Sequence, residues 1–327
     1  MDSTTAVLLI FVSVLVCCHS TVIVSKDGSG NYTTVSEAIM KAPDMSDKPY
    51  TIHVRAGTYE EYVTIPAKKT NIKLVGDGPH LTKLVGYQNG STIGRVLISD
   101  VRGDGFMAEK MGFENWAGLK ASAAVAVRNE AKKSVFFECS IQGVQDTLWA
   151  VSGSQFYKNC DIYGTVDFIY GNAAAVFQDC MLYARYSEYV TFTAQSREDP
   201  KEKTGFSFQR CKFTMSPQDS ARKSKVLRAT LGRPLRAYST VAIFHSYIDS
   251  MVDPKGWEPM AHQPTDKVTY IEFHNFGPGS KTDHRVDWPG VKVLSRPTPS
   301  AHYFTASYLL DADSWIPSTG VPFDNLL

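Results

Sequence analysis

The sequence predicts an all-β chain wound into a right-handed parallel β-helix, one coil per repeat. Two observations carry that prediction. An aromatic-to-cysteine pattern recurs at intervals of 30, 21, 20 and 31 residues, and self-similarity on this scale marks a solenoid. The segments are short, rich in β-branched and aromatic residues, and punctuated by Gly, Asn and Asp. A β-sandwich is the alternative for so many short strands, but it does not predict matched motifs in successive coils.

The elements follow in chain order. Ala6 to Ser20 reads AVLLIFVSVLVCCHS, an apolar run of secretory length followed by small and polar residues. It is short for a membrane span. Residues 1–20 are therefore expected to be a signal peptide, although the preceding MDSTT carries no Lys or Arg. A buried N-terminal strand is the other reading. Residues 21–327 are then expected to form one domain, and Cys17 and Cys18 to leave with the leader. Val35 to Lys41 (VSEAIMK) is the one stretch that reads as a short helix.

The repeat comes next. FFECSI (Phe136 to Ile141), YKNCDI (Tyr157 to Ile162), FQDCML (Phe177 to Leu182) and FQRCKF (Phe208 to Phe213) share one design. Each has an aromatic three residues before Cys and an apolar residue two after. FMAEKM (Phe106 to Met111) reads as a fifth copy with Glu109 in the cysteine slot. Cys139, Cys160, Cys180 and Cys211 are then neighbours in successive coils, either as stacked core thiols or as disulfides between coils. No CxxC or HxxxH spacing accompanies them, so no metal is expected.

Composition narrows the partners. Lys and Arg total 34 against 33 for Asp and Glu, a formal net charge of +1. With no basic stripe and no second apolar run of membrane length, neither nucleic acid nor a membrane is an expected partner. Apolar residues make up 43 % and aromatics 12 %, which suits a large core and also suits sugar binding. Asn31-Tyr-Thr33 and Asn89-Gly-Ser91 are glycosylation sequons and fit secretion. A β-helix with capped ends needs no partner, so a monomer is expected.

The repeat also serves as a ruler. Asp146 lies seven residues after Cys139, and Asp167 lies seven after Cys160. They share one phase of successive coils, and parallel neighbours lie about 4.8 Å apart. Two carboxyls that close push one pKa up, so one stays protonated while the other ionises. That is an acid beside a nucleophile. The plainer alternative is a pair of turn aspartates capping backbone amides. Asp167 also stands among Val166, Phe168, Ile169 and Tyr170, and a carboxylate in such surroundings needs compensation.

The words around these residues resemble those of pectin methylesterases. GVQDTL (Gly143 to Leu148) and DFIYG (Asp167 to Gly171) are similar to that family's signature segments. So, in order, are KDGSGNYTTVSEAI (Lys26 to Ile39), GTYEEYV (Gly57 to Val63, a GxYxE motif), LGRPL (Leu231 to Leu235), YIEFHNFGPG and DSWIPSTGVPF. The resemblance runs from about Val22 to the C-terminus and is plant-like, of the short class with no inhibitor-like pro-region ahead of it. It implies a pectin lyase-like right-handed β-helix, secreted to the cell wall, that hydrolyses the C6 methyl esters of homogalacturonan to methanol and pectate. By motif, Asp167 is then the nucleophile and Asp146 the acid/base. Gln145 donates to the oxyanion, and Arg233 holds Asp167 ionised. No metal or organic cofactor is implied, and a proteinaceous inhibitor becomes a plausible partner. Trp149, Tyr170 and Trp257 are candidates to offer flat faces to sugar rings, with ordinary packing as the alternative.

Two positions depart from the family pattern. AAVAV (Ala123 to Val127) stands where the family has QAVAL, so Ala123 replaces a second oxyanion glutamine. Ser122 is adjacent, but neighbouring strand residues point to opposite faces. LGRPL has Leu235 where LGRPW has Trp, and Leu offers a sugar no π face. Two readings therefore compete, a working esterase and a weakly active or inactive relative that binds pectin or a protein. A β-helix glycosidase or lyase is a third, against which the GVQDTL, DFIYG and LGRP words argue.

Overall fold

Each coil is built from short strands with apolar inward side chains, which the chain buries by winding on itself. The computed structural model describes residues 21–87, 97–118, 123–221 and 228–326. The expected leader with Cys17 and Cys18, the Asn89 sequon and Ser122 lie outside the described residues. The described strands form three parallel sheets. Sheet I runs from Val22–Val24 to Val291–Leu294 with 11 strands, sheet II from Gly57–Glu60 to Tyr247–Ile248 with 8, and sheet III from Val63–Ile65 to Arg228–Gly232 with 7. In each sheet the neighbours are successive coils, which is the right-handed parallel β-helix that the repeat predicts.

The aromatic of the repeat forms a stack inside. Phe136, Tyr157, Phe177 and Phe208 lie face to face at centroid spacings of 5.1, 4.6 and 4.6 Å. Full burial of each ring is worth about 1.5–3 kcal/mol, and each stacked pair adds about 0.5–1.5 kcal/mol. One left-handed residue then turns the chain from sheet I to sheet II: Lys110, Glu138, Asn159, Asp179 and Arg210, with φ between 53° and 55°. The cysteines follow this turn. All four are buried free thiols, and each donates to a carbonyl of the preceding coil, as Cys160 does to Phe136 at 3.3 Å. Burial raises the thiol pKa of Cys139 and Cys180 well above its ordinary value. Of the two sequence alternatives, stacked thiols are what the structure contains.

The fifth copy needs correction. Glu109 is paired with Phe137, not with Cys139. Gly112 faces Ser140, so Met111 occupies the cysteine slot, two residues later than expected. A thioether fills the place of a thiol, and the aromatic slot of that coil holds Ala108, opposite Phe136. Phe106 lies ahead of the strand, one residue before Met107.

One end of the coil and the outer face of sheet I are covered. The predicted helix spans Val35–Lys41, and Val35, Ala38 and Ile39 close the core. Thr34 caps it through the Glu37 N–H, and the carboxylate of Glu61 accepts from the N–H groups of Val35 and Ser36, both at 2.9 Å. The acid of the GxYxE motif thus serves a helix start, where an anion is favoured. After the last coil the chain returns along the outside of sheet I. Leu310, Trp315, Ile316 and Val321 form a second core there against Val135, Phe156 and Val176. The DSWIPSTGVPF segment is therefore a packing element.

Candidate active site

The site lies at the start of two interior strands of sheet III, which the chain enters through left-handed aspartates. Asp146 has φ 60° and Asp167 φ 51°, a region Asp adopts more readily than most residues. Leu148 faces Ile169, and the Asp146 N–H donates to Val166 O at 3.1 Å. The two aspartates are thus lateral neighbours, as their equal spacing from cysteine predicts. Both are nearly buried, at 6 and 7 % exposure.

The compensation for Asp167 comes from two coils away. Arg233 donates from Nε to Asp167 Oδ1 at 2.8 Å and from Nη2 to Oδ2 at 2.7 Å. A two-pronged pair of this kind is among the strongest protein hydrogen bonds. The backbone explains the reach. Thr193 faces Gly232 and Tyr170 faces Ala194, so Arg233 is level with Ala194, whose methyl leaves the lateral path open. A Cβ on Gly232 would lie 2.1 Å from Thr193 Oγ1, so the glycine of LGRPL lets two coils close up beneath the arginine. Gly171 of DFIYG has the same kind of role: its φ is 120°, and a Cβ would lie 2.0 Å from Ala150 O.

The two carboxyls differ in charge state. Burial pushes Asp146 up to about 7, with the Asp167 charge adding to the effect and Arg233 and a hydrogen bond from Gln145 opposing it. Burial also raises Asp167, but the Arg233 hydrogen bonds and charge pull it back. Both carboxyls are raised on balance, and the pair with Arg233 makes Asp167 the one of the two whose charged form is compensated. Gln145 is half-buried, and its amide carries two N–H bonds, so it has donors to offer a ligand beside Asp146.

The aromatic expectation for Trp257 needs correction. Trp257 is fully buried. It stacks on Tyr270 at 4.1 Å and donates to Glu272 at 3.2 Å, so no face reaches solvent. Trp149 and Tyr170 stack on each other at 5.5 Å and 13°. Arg128 covers the far side of Trp149 at 5.0 Å, held by Asp100 and Glu130 at 2.9 and 2.6 Å. Both faces of Trp149 and one face of Tyr170 are thus taken up along a row of sheet III.

The two departures lie close by. Ala123 forms a bridge with Gln145 and packs with Val125, Leu97 and Trp149. Leu235 is half-buried two residues past Arg233, and its N–H donates to Gln195 O at 3.1 Å. Two residues escaped the sequence reading. Arg185 donates from Nη1 to Gly143 O at 2.6 Å and so braces the turn that carries Gln145 and Asp146. The ruler points to it, since Val144, Thr165 and Arg185 each lie five residues after a cysteine. Glu258 accepts from Thr191 Oγ1 at 2.9 Å; burial, then the Asp167 charge, push it up to about 7. No sequence signal marks it. Among the described residues no cluster of His, Cys, Asp and Glu is placed to hold a metal ion.

Fold and site together define a parallel β-helix protein with a paired-carboxylate centre, one acid held by an arginine and its neighbour protonatable. The chain belongs to the pectinesterase family, whose pattern it matches over residues 21–313. It is 41 % identical over 312 residues to a pectinesterase/pectinesterase inhibitor of Arabidopsis thaliana, covering 93 % of this chain and 55 % of that one. It is 39 % identical over 308 residues to one of Prunus persica, covering 92 % and 59 %. The chain thus spans a little over half the length of these relatives. In structure it is similar to the pectin methylesterase from carrot, with a TM-score of 0.89 and 38 % identity over 94 % of this chain and 98 % of that one. A pectin methylesterase from Aspergillus niger gives a TM-score of 0.77 at 27 % identity, over 90 % and 95 %.

Proposed function

We propose that the chain is a carboxylic ester hydrolase that removes the C6 methyl esters of homogalacturonan. The observation that carries this reading is Asp167, paired with Arg233, in lateral register with a more readily protonated Asp146. The carrot protein, named a pectin methylesterase, supports it over nearly the full length of both chains.

The steps follow from charge state. An Asp167 carboxylate oxygen attacks the ester carbonyl carbon, and Gln145 donates to the oxyanion that forms. As the intermediate collapses, the carbon–oxygen bond to the methoxy group breaks. Asp146 gives its proton to that oxygen, and methanol leaves. An anhydride then joins Asp167 to the sugar carboxyl. Asp146, now a carboxylate, takes a proton from water as the water oxygen attacks the anhydride. Asp167 leaves as a carboxylate, Asp146 is again an acid, and the sugar carboxylic acid so formed loses the second proton of the water to solvent.

The chain acts, in this reading, outside the cell on wall pectin as a monomer, with a proteinaceous inhibitor as a candidate partner. The second reading, a relative that binds pectin with little turnover, is favoured by one observation, the methyl of Ala123 beside Gln145. Losing one oxyanion donor costs about 100- to 1,000-fold elsewhere. Methanol release from highly methylated pectin decides between them. The wild-type chain is expected to release methanol, Asp167→Ala to release none, and Ala123→Gln to release it at least about tenfold faster. A folded wild-type chain with no more release than Asp167→Ala would leave the binding reading in place.

A further inference from the structure

Tyr170 carries a hydroxyl that the fold leaves without a partner. It is one of the buried side-chain polar atoms, among the described residues, with no hydrogen bond. Buried polar groups are nearly always paired, and an exception calls for an explanation. The ring is held in place. One face lies on Trp149, and Trp149 is covered in turn by Arg128. Only 6 % of the residue is exposed, so the hydroxyl cannot simply turn outward to water. The charges that act on it are those of Asp146, Arg128 and Asp167, with Asp146 the foremost.

We propose that Tyr170 is a positioning residue for Asp146, donating a hydrogen bond to the carboxylate that forms when methanol leaves. The inference rests on the acid/base reading of Asp146 given above. While Asp146 keeps its proton, it must aim that proton at the departing oxygen, and the phenol has only a neutral acceptor to meet. Once the proton is gone, Asp146 is an anion. A hydrogen bond to an anion is about twice as strong as one between neutral groups, so loss of the proton gives the free hydroxyl a stronger acceptor in Asp146. The bond would then hold the carboxylate toward the incoming water. Asp167 and Arg233 act on Asp146 from neighbouring coils, and Gln145 acts from its own turn. Arg128 acts on Tyr170 from beyond Trp149, and Glu258 lies within the field of Asp167. None of these groups donates a hydrogen bond to Tyr170 Oη.

Tyr170→Phe removes one oxygen and leaves the stack intact. Rapid mixing of enzyme with methylated oligogalacturonate, quenched for methanol and for the intact mass of the protein, separates the two half-reactions. The variant is expected to release its first methanol within about twofold of wild type, since acylation does not use the bond. It is expected to accumulate the acyl-enzyme severalfold more than wild type and to turn over about tenfold more slowly, within the range of one hydrogen-bonding group in proton transfer. A donor to the carboxylate lowers its pKa, so its loss should move the alkaline limb of the pH profile upward by about half a unit. Three results overturn the inference: unchanged kinetics, an equal loss in first-turnover methanol, or a limb that moves down. Unchanged kinetics with a higher melting temperature would mark the hydroxyl as an unpaired buried group and nothing more. Wild-type protein that releases no methanol would instead defeat the esterase reading on which the inference stands.

Discussion

The aromatic stack inside the coils and the charged row on sheet III rest on the same backbone repeat, yet each uses it differently. In the stack, each coil contributes an equivalent ring, from Phe136 to Phe208, and the contacts run only between neighbours. In the row, Asp146 and Asp167 are also neighbours by register, but the contact that makes Asp167 tolerable crosses a coil to Arg233. Nearest-neighbour packing is interchangeable and degrades gradually. A buried charge held by one distant partner is not, because removing either member leaves the other uncompensated.

The sharpest way to break that contrast is Arg233→Met. It leaves Asp167 buried among apolar groups without its counter-charge, and Asp167 should then take up a proton. A protonated carboxyl is a poor nucleophile. Turnover of pectin at pH 6 is expected to fall about 1,000-fold or more, and chemical denaturation to show a loss of about 3–5 kcal/mol. A stable variant with near wild-type turnover would show that Arg233 is only a structural tie.

Asp146→Asn tests the other half of the row and has a defined pH signature. Burial raises the native pKa of Asp146 to about 7, whereas an unfolded chain releases that proton near pH 3.9. Below about pH 4 both states hold the proton and Asp146 costs nothing. Between about pH 4 and 7 only the native state holds it, so stability declines as pH rises, by about 1.4 kcal/mol per unit. Above about pH 7 the native state carries the full penalty, up to about 4 kcal/mol. Asn has no proton to lose. The variant is therefore expected to match wild type at pH 3.5 and to exceed its stability by up to about 4 kcal/mol at pH 8 in urea titrations, while losing esterase activity at both. Equal stability across that range would mean that Asp146 is not a raised acid.

The contrast also explains what the sequence alone could show. The stack, the cysteine slots and the neighbour relation of Asp146 and Asp167 follow from local words repeated at one phase, and the Val35–Lys41 helix from a single local word. Periodicity misplaced one coil by two residues, because Met111 stands where the other coils have cysteine and Ala108 where they have an aromatic. Contacts that skip a coil have no periodic trace. Arg233 entered only through the resemblance of LGRPL, and Glu258 did not enter at all. Trp257 is hidden from the sequence for a related reason. An aromatic beside a turn looks available to a sugar until the later segment that buries it against Tyr270 and Glu272 is in place.

The smallest effect belongs to the inner face and concerns the cysteines. The sequence left stacked thiols and inter-coil disulfides open, and the structure has Cys139, Cys160, Cys180 and Cys211 free and buried. Burial raises the thiol pKa of Cys139 and Cys180, and the thiolate is the reactive form. All four are buried out of reach of a reagent, so maleimide should leave them unlabelled in the native protein and label all four after unfolding without reductant. Cys160→Ala removes one sulfur from the middle of the column. It is expected to lower stability by only about 1 kcal/mol, roughly the worth of one buried methylene plus a small void, with turnover unchanged. Labelling that appears only after reduction would show disulfides instead, and the inner face would then be tied by covalent bonds between coils. A turnover loss in Cys160→Ala would show that the core column and the charged row are coupled, and the division between interchangeable packing and a single distant partner would fail.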